Sequence, residues 1–334
     1  MDTNIKQPSY KSILREDVDS LGEFDYYEAD SLIYDPDTKN WKSNLTTITN
    51  PGVVKSKSLS ILCFNVWFSS HNLLNRKKAF LDLITNKNAD IICLQEVTHD
   101  FKNFLQACEL IQKNYIISAT FEGPYDVLIL SKMNANFFVK KFSTEMGRKI
   151  ILAEAFLEDG TPLLIGNFHL ESLEQMVTYR KSQLELINNI VKKPKNVVLA
   201  GDFNFDSTSS EQEVIVKCFS DFKDLWVIWE EKKGITDQKT LNEEGRTKNK
   251  EMESKSKAIR PDKILVKFNS EISKKWSIKE FEVVGRDEIE IDKLDKDKMK
   301  EYEKEIEDKE VAENMANVKT ISNHYGLWTK IDFN

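Results

Sequence analysis

Cysteine is scarce in this 334-residue chain, which contains four cysteines and no Cys-x-x-Cys pair. Cys63 and Cys93 lie inside apolar runs, so we interpret them as small core residues of a protein in a reducing compartment. The sequence also lacks any apolar run near the ~18 residues of a membrane span, and residues 1–6 lack the apolar core of a signal peptide. We therefore expect an intracellular protein, cytoplasmic or nuclear, that is neither secreted nor bound to a membrane.

An excess of positive charge is missing as well. The formal net charge is −7, although 31% of the residues are charged and 40% are hydrophobic, as in a globular protein with a polar surface. This balance argues against broad, sequence-blind binding of nucleic acid, which needs a basic face, but it leaves room for a local basic groove. An acidic protein that acts on a phosphate substrate would need a metal ion to offset the repulsion.

Polar side chains occur where several apolar, strand-like runs end. The run 197–200 leads into Gly201-Asp202-Phe203-Asn204, where alternation places Asp202 and Asn204 on one side of the chain. Ligands of α/β sheets bind at such ends, where a carboxylate can take a proton from water or hold a hard cation. An Asx-rich turn would give the same local pattern. The placement recurs at five further strand boundaries, marked by Asn65, Glu96, His169, Asp262 and His324.

Each of these residues also has an ordinary structural interpretation by itself: Glu96 could be a solvated or helix-capping carboxylate, and His169 a satisfied core histidine. Six unrelated turns that all carry such residues would be improbable, which favours a shared site. Periodicity predicts the elements between them. Helices are expected at 75–87, 100–113, 174–192 and 210–219, and strands at 59–67, 90–97, 115–120, 126–131, 136–142, 149–157, 162–170, 197–202, 259–266, 276–285 and 321–331.

Three polar regions interrupt this pattern. Residues 1–57 predict an N-terminal arm that is irregular or partly disordered, and residues 230–258 predict a long surface loop. Residues 286–319 are dominated by Lys, Glu and Asp with sparse apolar positions, which predicts an exposed, charged helical insertion.

The order and wording of the strand-end motifs resemble the endonuclease/exonuclease/phosphatase superfamily, which includes pancreatic deoxyribonuclease and abasic-site endonucleases. The resemblance covers about residues 58–333 and implies a four-layer α/β sandwich, with two packed mixed sheets and outer helices, as a catalytic domain at 58–334. The matching motifs are Asn65-Val66, Leu94-Gln95-Glu96-Val97, His169-Leu170, Gly201-Asp202-Phe203-Asn204, Arg260-Pro261-Asp262-Lys263-Ile264 and Ser322-Asn323-His324-Tyr325-Gly326-Leu327.

The resemblance also implies a metal-dependent phosphodiesterase. Mg²⁺, with Mn²⁺ as the alternative, would be held by Glu96 with Asn65 and Asn323, and it would offset charge on the phosphoryl group. Members of the superfamily usually carry Asp where this chain has Asn323. An amide can still coordinate a cation, but it adds no negative charge, so this position bears on metal affinity.

The same resemblance assigns the catalytic roles. Asp202 would align and deprotonate water, and Asn204 would fix its position. His324, oriented by Asp262, would bind the phosphate from one side, because a buried carboxylate sets the tautomer of a histidine. His169 would contact the phosphate from the opposite side.

Within the superfamily, four further motifs are most similar to those of 5′-tyrosyl-DNA phosphodiesterases, which act in DNA repair. These motifs are His169-Leu170-Glu171-Ser172, Arg180 on the following helix, Asp224-Leu225-Trp226 and Arg260. The partner would be DNA ends with a 5′ adduct, acted on by a monomer. The alternatives are an abasic-site or other nuclease of the superfamily, and a catalytically weakened binding or scaffold module. The residues expected to bind substrate are Asn65, Tyr125, Ser172, Arg180, Trp226 and Arg260. Trp226 could equally be a core aromatic.

Overall fold

The structure, a computed structural model, describes most of the chain between residues 27 and 333. The helices are α1 (Leu73–Lys87), α2 (His99–Ala107), α3 (Glu109–Asn114), α4 (Val177–Val191), α5 (Gln212–Cys218) and α6 (Leu225–Glu231), and Glu174–Met176 forms a 3₁₀ turn before α4. The described residues are 14, 27–44, 53–54, 57–157, 160–235, 246–248, 260–269, 276–290 and 319–333.

Sixteen strands are present in the described residues, and they form two mixed sheets of eight strands each. The strands are β1 (Tyr27–Ala29), β2 (Ser31–Asp35), β3 (Asn40–Asn44), β4 (Val53–Val54), β5 (Ser58–Asn65), β6 (Ile91–Thr98), β7 (Ile116–Ser118), β8 (Tyr125–Ser131), β9 (Asn136–Lys141), β10 (Lys149–Leu157), β11 (Pro162–His169), β12 (Val197–Asp202), β13 (Lys223–Asp224), β14 (Asp262–Lys267), β15 (Trp276–Val284) and β16 (Gly326–Phe333). The first sheet has the order β1-β9-β10-β11-β12-β14-β13, with β4 paired to β10, and the second has the order β15-β16-β5-β6-β8-β7-β2-β3.

Alternation along the strands produces the layers. In β5, Ile61 and Cys63 pack between the two sheets, whereas Leu62 and Phe64 pack under the helices that cover the second sheet. Residues of α4 cover the outer face of the first sheet in the same way. The predicted four-layer α/β sandwich is therefore confirmed. All four cysteines are free, and Cys63 and Cys93 are buried in the core as expected.

The N-terminal arm differs from its prediction over residues 27–44, which form three strands. β1 and β3 are edge strands, and β2 lies between β7 and β3. β1 pairs with β9 in the first sheet, and β2 pairs with β7 in the second, so the chain passes from one sheet to the other at residue 30. These strands are short, and apolar residues do not alternate regularly along them, which removes the signal by which strands are recognised. The other described residues of the arm add β4.

The expected helix at 100–113 is two helices, because the backbone is extended at Cys108. The turn residues 158–159, most of the loop at 230–258 and residues 291–318 of the charged insertion lie outside the described residues. No helix in the described part of the chain has the length and apolar character needed to cross a membrane.

Candidate active site

Neighbouring strands bring the predicted residues of the first sheet side by side. β11 and β12 are parallel and pair His169 with Asp202, whereas β14 is antiparallel and pairs Asp202 with Asp262. In the second sheet, parallel pairing of β5 and β6 places Asn65 beside the residue that precedes Glu96. The polar ends of both sheets therefore lie at the same end of the sandwich.

Asn65 joins the two sheets at this end. Its fully buried amide nitrogen donates to Glu96 Oε1 at 3.1 Å and to Asp202 Oδ2 at 3.0 Å. Its Oδ1 accepts a hydrogen bond from the backbone N–H of Trp67 at 2.9 Å. Since both carboxylates can only accept, the amide nitrogen has to face them, and Asn65 holds the two carboxylates around one donor.

A β-bulge aims the side chain of Glu96. The pairing of β6 with β8 shifts register between Leu94 and Val97, and Glu96 adopts a left-handed φ of 57° inside the shift. Its Oε2 accepts from the backbone N–H of Phe68 at 3.0 Å. Burial raises the pKa of Glu96, but the nearby histidines and these hydrogen bonds outweigh burial and hold the pKa below its usual value. Glu96 is therefore an anion at the site.

Asp202 occupies the centre of the site. Its Oδ1 accepts from the backbone N–H of Asn204 at 2.8 Å, and its Oδ2 lies 3.4 Å from His169 Nε2 and 3.8 Å from His324 Nε2. Burial raises the pKa of Asp202, yet the surrounding positive and polar groups lower it well below its usual value. Asn204, at a left-handed φ of 57°, closes the turn and donates from Nδ2 to the carbonyl of Leu170 at 2.9 Å.

His169 is held as a neutral donor. Arg148 Nη1 lies 3.0 Å from His169 Nδ1, and because a guanidinium can only donate, the ring proton has to be on Nε2, which faces Asp202. Burial, reinforced by the charge of Arg148, lowers the pKa of His169 to about 3. Arg148 was not among the residues expected at the site.

His324 has a different set of partners. Its Nδ1 lies 2.8 Å from Asp262 Oδ2, and its Nε2 lies 2.9 Å from Lys248 Nζ. Burial raises the pKa of Asp262, although the contact with His324 opposes that rise. Ser322 Oγ donates to the carbonyl of Asn65 at 2.6 Å and lies 3.1 Å from the backbone nitrogen of His324. The second sheet thereby fixes the loop that presents His324.

Two further predicted residues lie beside this centre. Ser172 Oγ accepts from Arg148 Nη2 at 2.8 Å and lies 3.3 Å from Asn204 Nδ2. The Tyr125 ring lies 5.4 Å from the Arg148 guanidinium and stacks on Phe68 with centroids 5.0 Å apart. Phe68 is 49% exposed, so an apolar ring surface borders the site. Tyr125, Arg148 and His169 line a common pocket.

Three residues expected to bind substrate have structural partners instead. Arg180 is buried, and its guanidinium donates to Glu211 Oε1 at 2.6 Å and to the carbonyls of residues 171 and 173. Trp226 packs in the core against Phe281 with centroids 5.6 Å apart. Arg260 is buried beside Asp224, with a contact of 2.7 Å. Sequence spacing located these residues near the site but could not show that their side chains turn into the protein.

The charged groups fit a divalent cation. One ligand atom from each of Asp202, Asp262 and His324 lies within 4.8 Å of the others, and Asp262 Oδ1 is buried without a hydrogen-bond partner in the described residues. Both ring nitrogens of His324 already have partners, so the carboxylates are the groups that can hold the cation. Glu96 contributes a carboxylate across Asn65. Asn65 differs from its predicted role as a ligand, because its nitrogen faces the carboxylates and its oxygen accepts from the backbone.

Asn323, the third expected ligand, is buried next to His324. Its Oδ1 lies 3.4 Å from Ser322 Oγ. Its part in binding a cation stays a prediction.

A buried amide pair behind the site was missed by sequence reasoning. Gln95 Nε2 donates to Asn167 Oδ1 at 2.7 Å, and Asn167 Nδ2 donates to the carbonyls of Leu94 and Leu128 at 2.9 Å each. Gln95 belongs to the second sheet and Asn167 to the first. Polar residues at positions where alternation predicts core were the available signal, since such groups need partners.

Known proteins share the family and the fold of this chain. A model of the Endonuclease/Exonuclease/phosphatase family matches residues 62–242, which is more than half of the chain. None of the curated proteins compared matches the sequence. A structure of TDP2 from D. rerio with a single-stranded DNA product aligns with a TM-score of 0.61 at 18% identity, over 82% of this chain and 99% of that one.

Two further solved structures have the same fold. Truncated TDP2 from Caenorhabditis elegans aligns with a TM-score of 0.59 at 19% identity, over 83% of this chain and 98% of that one. The human Nocturnin catalytic domain with bound sulfate aligns with a TM-score of 0.54 at 16% identity, over 84% and 96%. At these identities the structures establish the fold alone. With the family model, they show that the chain belongs to the endonuclease/exonuclease/phosphatase family.

Proposed function

We propose that the protein is a Mg²⁺-dependent phosphodiesterase that releases tyrosine from the 5′ phosphate of DNA, with Mn²⁺ as an alternative cofactor. The observation that carries the proposal is the Asn65 amide, which joins Glu96 to Asp202 between the two histidines. A divalent cation bound at these carboxylates would neutralise charge on the phosphoryl group. The proposed catalytic domain spans residues 58–334.

The residues divide the reaction between them. Asp202 is ionised and fixed by the backbone N–H of Asn204, so it aligns the attacking water and accepts its proton as the new P–O bond forms. His169 donates a hydrogen bond from Nε2–H to a phosphate oxygen and keeps its proton, because Arg148 occupies the other ring nitrogen. Tyrosine leaves as a phenolate of ordinary pKa about 10, and it therefore needs less protonation than a sugar alkoxide.

An aromatic surface favours a substrate with a ring next to the phosphate. Phe68 and Tyr125 stack beside the site, and the Arg148 guanidinium lies near Tyr125. Such a surface can bind a tyrosine ring or an unstacked base. The finer proposal is also supported by the likeness to TDP2, one structure of which holds a single-stranded DNA product.

A binding or scaffold module is the second candidate, and one observation favours it. Asn323 is a neutral amide next to His324 where a carboxylate would strengthen cation binding. In such a module, nucleic acid would bind without turnover.

A substrate panel tests both candidates. The protein is incubated with a 5′-tyrosyl oligonucleotide, a 3′-tyrosyl oligonucleotide and an abasic duplex, each with Mg²⁺ and with a chelator. We expect Mg²⁺-dependent release of tyrosine from the 5′ adduct in preference to the other two. Preference for the abasic duplex would replace the substrate assignment, and binding without turnover of any substrate would support the module.

A further inference from the structure

A short segment outside the predicted motifs lies on the candidate site. The carbonyl of Thr247 accepts from the backbone N–H of Tyr325 at 2.6 Å, and Thr247 Oγ1 lies 3.2 Å from the backbone nitrogen of Asp262. Lys248 forms an isolated antiparallel bridge with His324. Thr247 is fully buried. Residues 246–248 are therefore attached to the start of β14, which presents Asp262, and to the loop before β16, which presents His324.

This attachment places the ammonium group of Lys248 at the centre of the site. Its Nζ lies 2.9 Å from His324 Nε2, the ring nitrogen that faces Asp202 Oδ2 at 3.8 Å. On the other side of the ring, Asp262 accepts a hydrogen bond from Nδ1–H. Nε2 therefore has no proton and accepts a hydrogen bond from the ammonium. In this arrangement His324 has no Nε2 proton to offer to a phosphate oxygen.

The two histidines therefore differ in what they present towards Asp202. Arg148 binds the far nitrogen of His169 and leaves an N–H on the near one. At His324 the basic residue binds the near nitrogen, so the donor on that side is the ammonium of Lys248.

The negative charge of the site favours a cationic donor on this side. Glu96 and Asp202 are anions, and a phosphodiester adds a further negative charge. Arg148 is engaged by His169 and Ser172 on one side. On the opposite side, Lys248 supplies a compact cation with two donors beyond the one used by His324.

We propose that Lys248 is a phosphate-binding residue of the active site, and that His324 and Thr247 position its ammonium group. The inference rests on the proposed function in that the phosphate it binds is the scissile one. A charge-assisted hydrogen bond of this kind is worth about 1.5–3 kcal/mol, which corresponds to about a 10- to 150-fold effect.

The test compares Lys248→Met with Lys248→Arg and with Lys279→Met in the full chain. Lys279 is 52% exposed and lies 3.9 Å from Asp332, so its variant removes the same charge from a surface position. Two quantities are measured: the Kd of inorganic phosphate in the presence of Mg²⁺, by ³¹P NMR titration, and kcat/KM on the best substrate of the panel. Melting temperature is recorded for every variant.

Lys248→Met is expected to raise the phosphate Kd and lower kcat/KM by at least about tenfold. Lys248→Arg should retain much of the phosphate affinity and of the kcat/KM, and Lys279→Met should match the wild type in both quantities. The phosphate titration does not depend on turnover, so an inactive wild type would contradict the proposed function while still testing Lys248. An unchanged phosphate Kd in Lys248→Met, with or without a lower melting temperature, would overturn the inference. A higher kcat/KM would also overturn it, because Lys248 would then obstruct the site.

Discussion

His169, at the end of β11, and His324, in the loop before β16, approach Asp202 with the same ring nitrogen, but their partners have opposite charge. Arg148 donates to Nδ1 of His169, whereas Asp262 accepts from Nδ1 of His324. His169 is therefore a neutral donor, whereas Nε2 of His324 accepts a hydrogen bond from the Lys248 ammonium. A histidine at such a site has no fixed role, because the group that binds the far ring nitrogen decides which nitrogen carries the proton.

We expect the largest effect on activity from substituting Asp262, which orients the His324 ring. Asp262→Asn removes the group that holds the proton on Nδ1, and it can reverse the tautomer. We expect kcat to fall by about 10³- to 10⁴-fold. Steady-state kinetics should be compared with Asp332→Asn, a substitution of a partly exposed residue near the end of β16. A loss in Asp262→Asn no larger than in that control would mean that His324 does not depend on Asp262.

The His169 side should respond to Arg148→Met. Without the guanidinium, the His169 ring can carry its proton on Nδ1, and Ser172 loses a donor at 2.8 Å. We expect kcat/KM to fall by about 10²-fold, as for the loss of one donor to the transition state. Arg148→Lys should not restore activity, since one ammonium cannot match a planar fork that reaches both partners. Full rescue by lysine would show that only the charge matters.

The lowered pKa of His169 should appear in the pH dependence of stability. Unfolded histidine binds a proton below its usual pKa of 6.5, whereas folded His169 does so only near its pKa of about 3. Between these values the unfolded state binds more protons, so the free energy of unfolding falls as the pH falls. His169→Gln should remove about 1 kcal/mol per pH unit of this dependence below pH 6.5. Urea unfolding at pH 7, 6 and 5 measures it, with His99→Gln as the exposed control. Equal slopes in wild type and His169→Gln would contradict a neutral, buried His169.

The smallest effect on activity is expected outside the site, at Arg180. Arg180→Met leaves Glu211 buried without its partner and should lower the free energy of unfolding by about 3–5 kcal/mol. The kcat/KM of the folded variant should equal that of the wild type. A large loss of kcat/KM with unchanged stability would restore the sequence-based assignment of Arg180 to the substrate.

The strand-end residues could be predicted because they interrupt apolar runs. Asn65, Glu96, His169 and Asp202 each end a stretch whose alternation and burial are visible in the sequence, and parallel pairing then brings the ends together. The resemblance of their motifs to the family predicted the two-sheet architecture, which periodicity alone does not predict.

The partners of these residues could not be predicted, because they come from segments with no matching pattern. Arg148 precedes β10, and Lys248 lies in a long polar stretch that resembles a surface loop. Arg180 and Trp226 show the reverse case: the family resemblance placed both near the substrate, with a core position as the alternative for Trp226, and both side chains are buried against partners inside the protein. Side-chain direction depends on the packing of whole elements, which local sequence does not encode.

The central claim is that Asp202 acts on a phosphodiester between the two histidines. It is tested most directly by the Mg²⁺-dependent turnover of a generic phosphodiester by the wild type and by Asp202→Asn, with equal folding shown by melting temperature. Asparagine keeps the shape but cannot accept the proton of water, so turnover should fall by at least about 10²-fold. Equal rates for the two proteins would contradict the account.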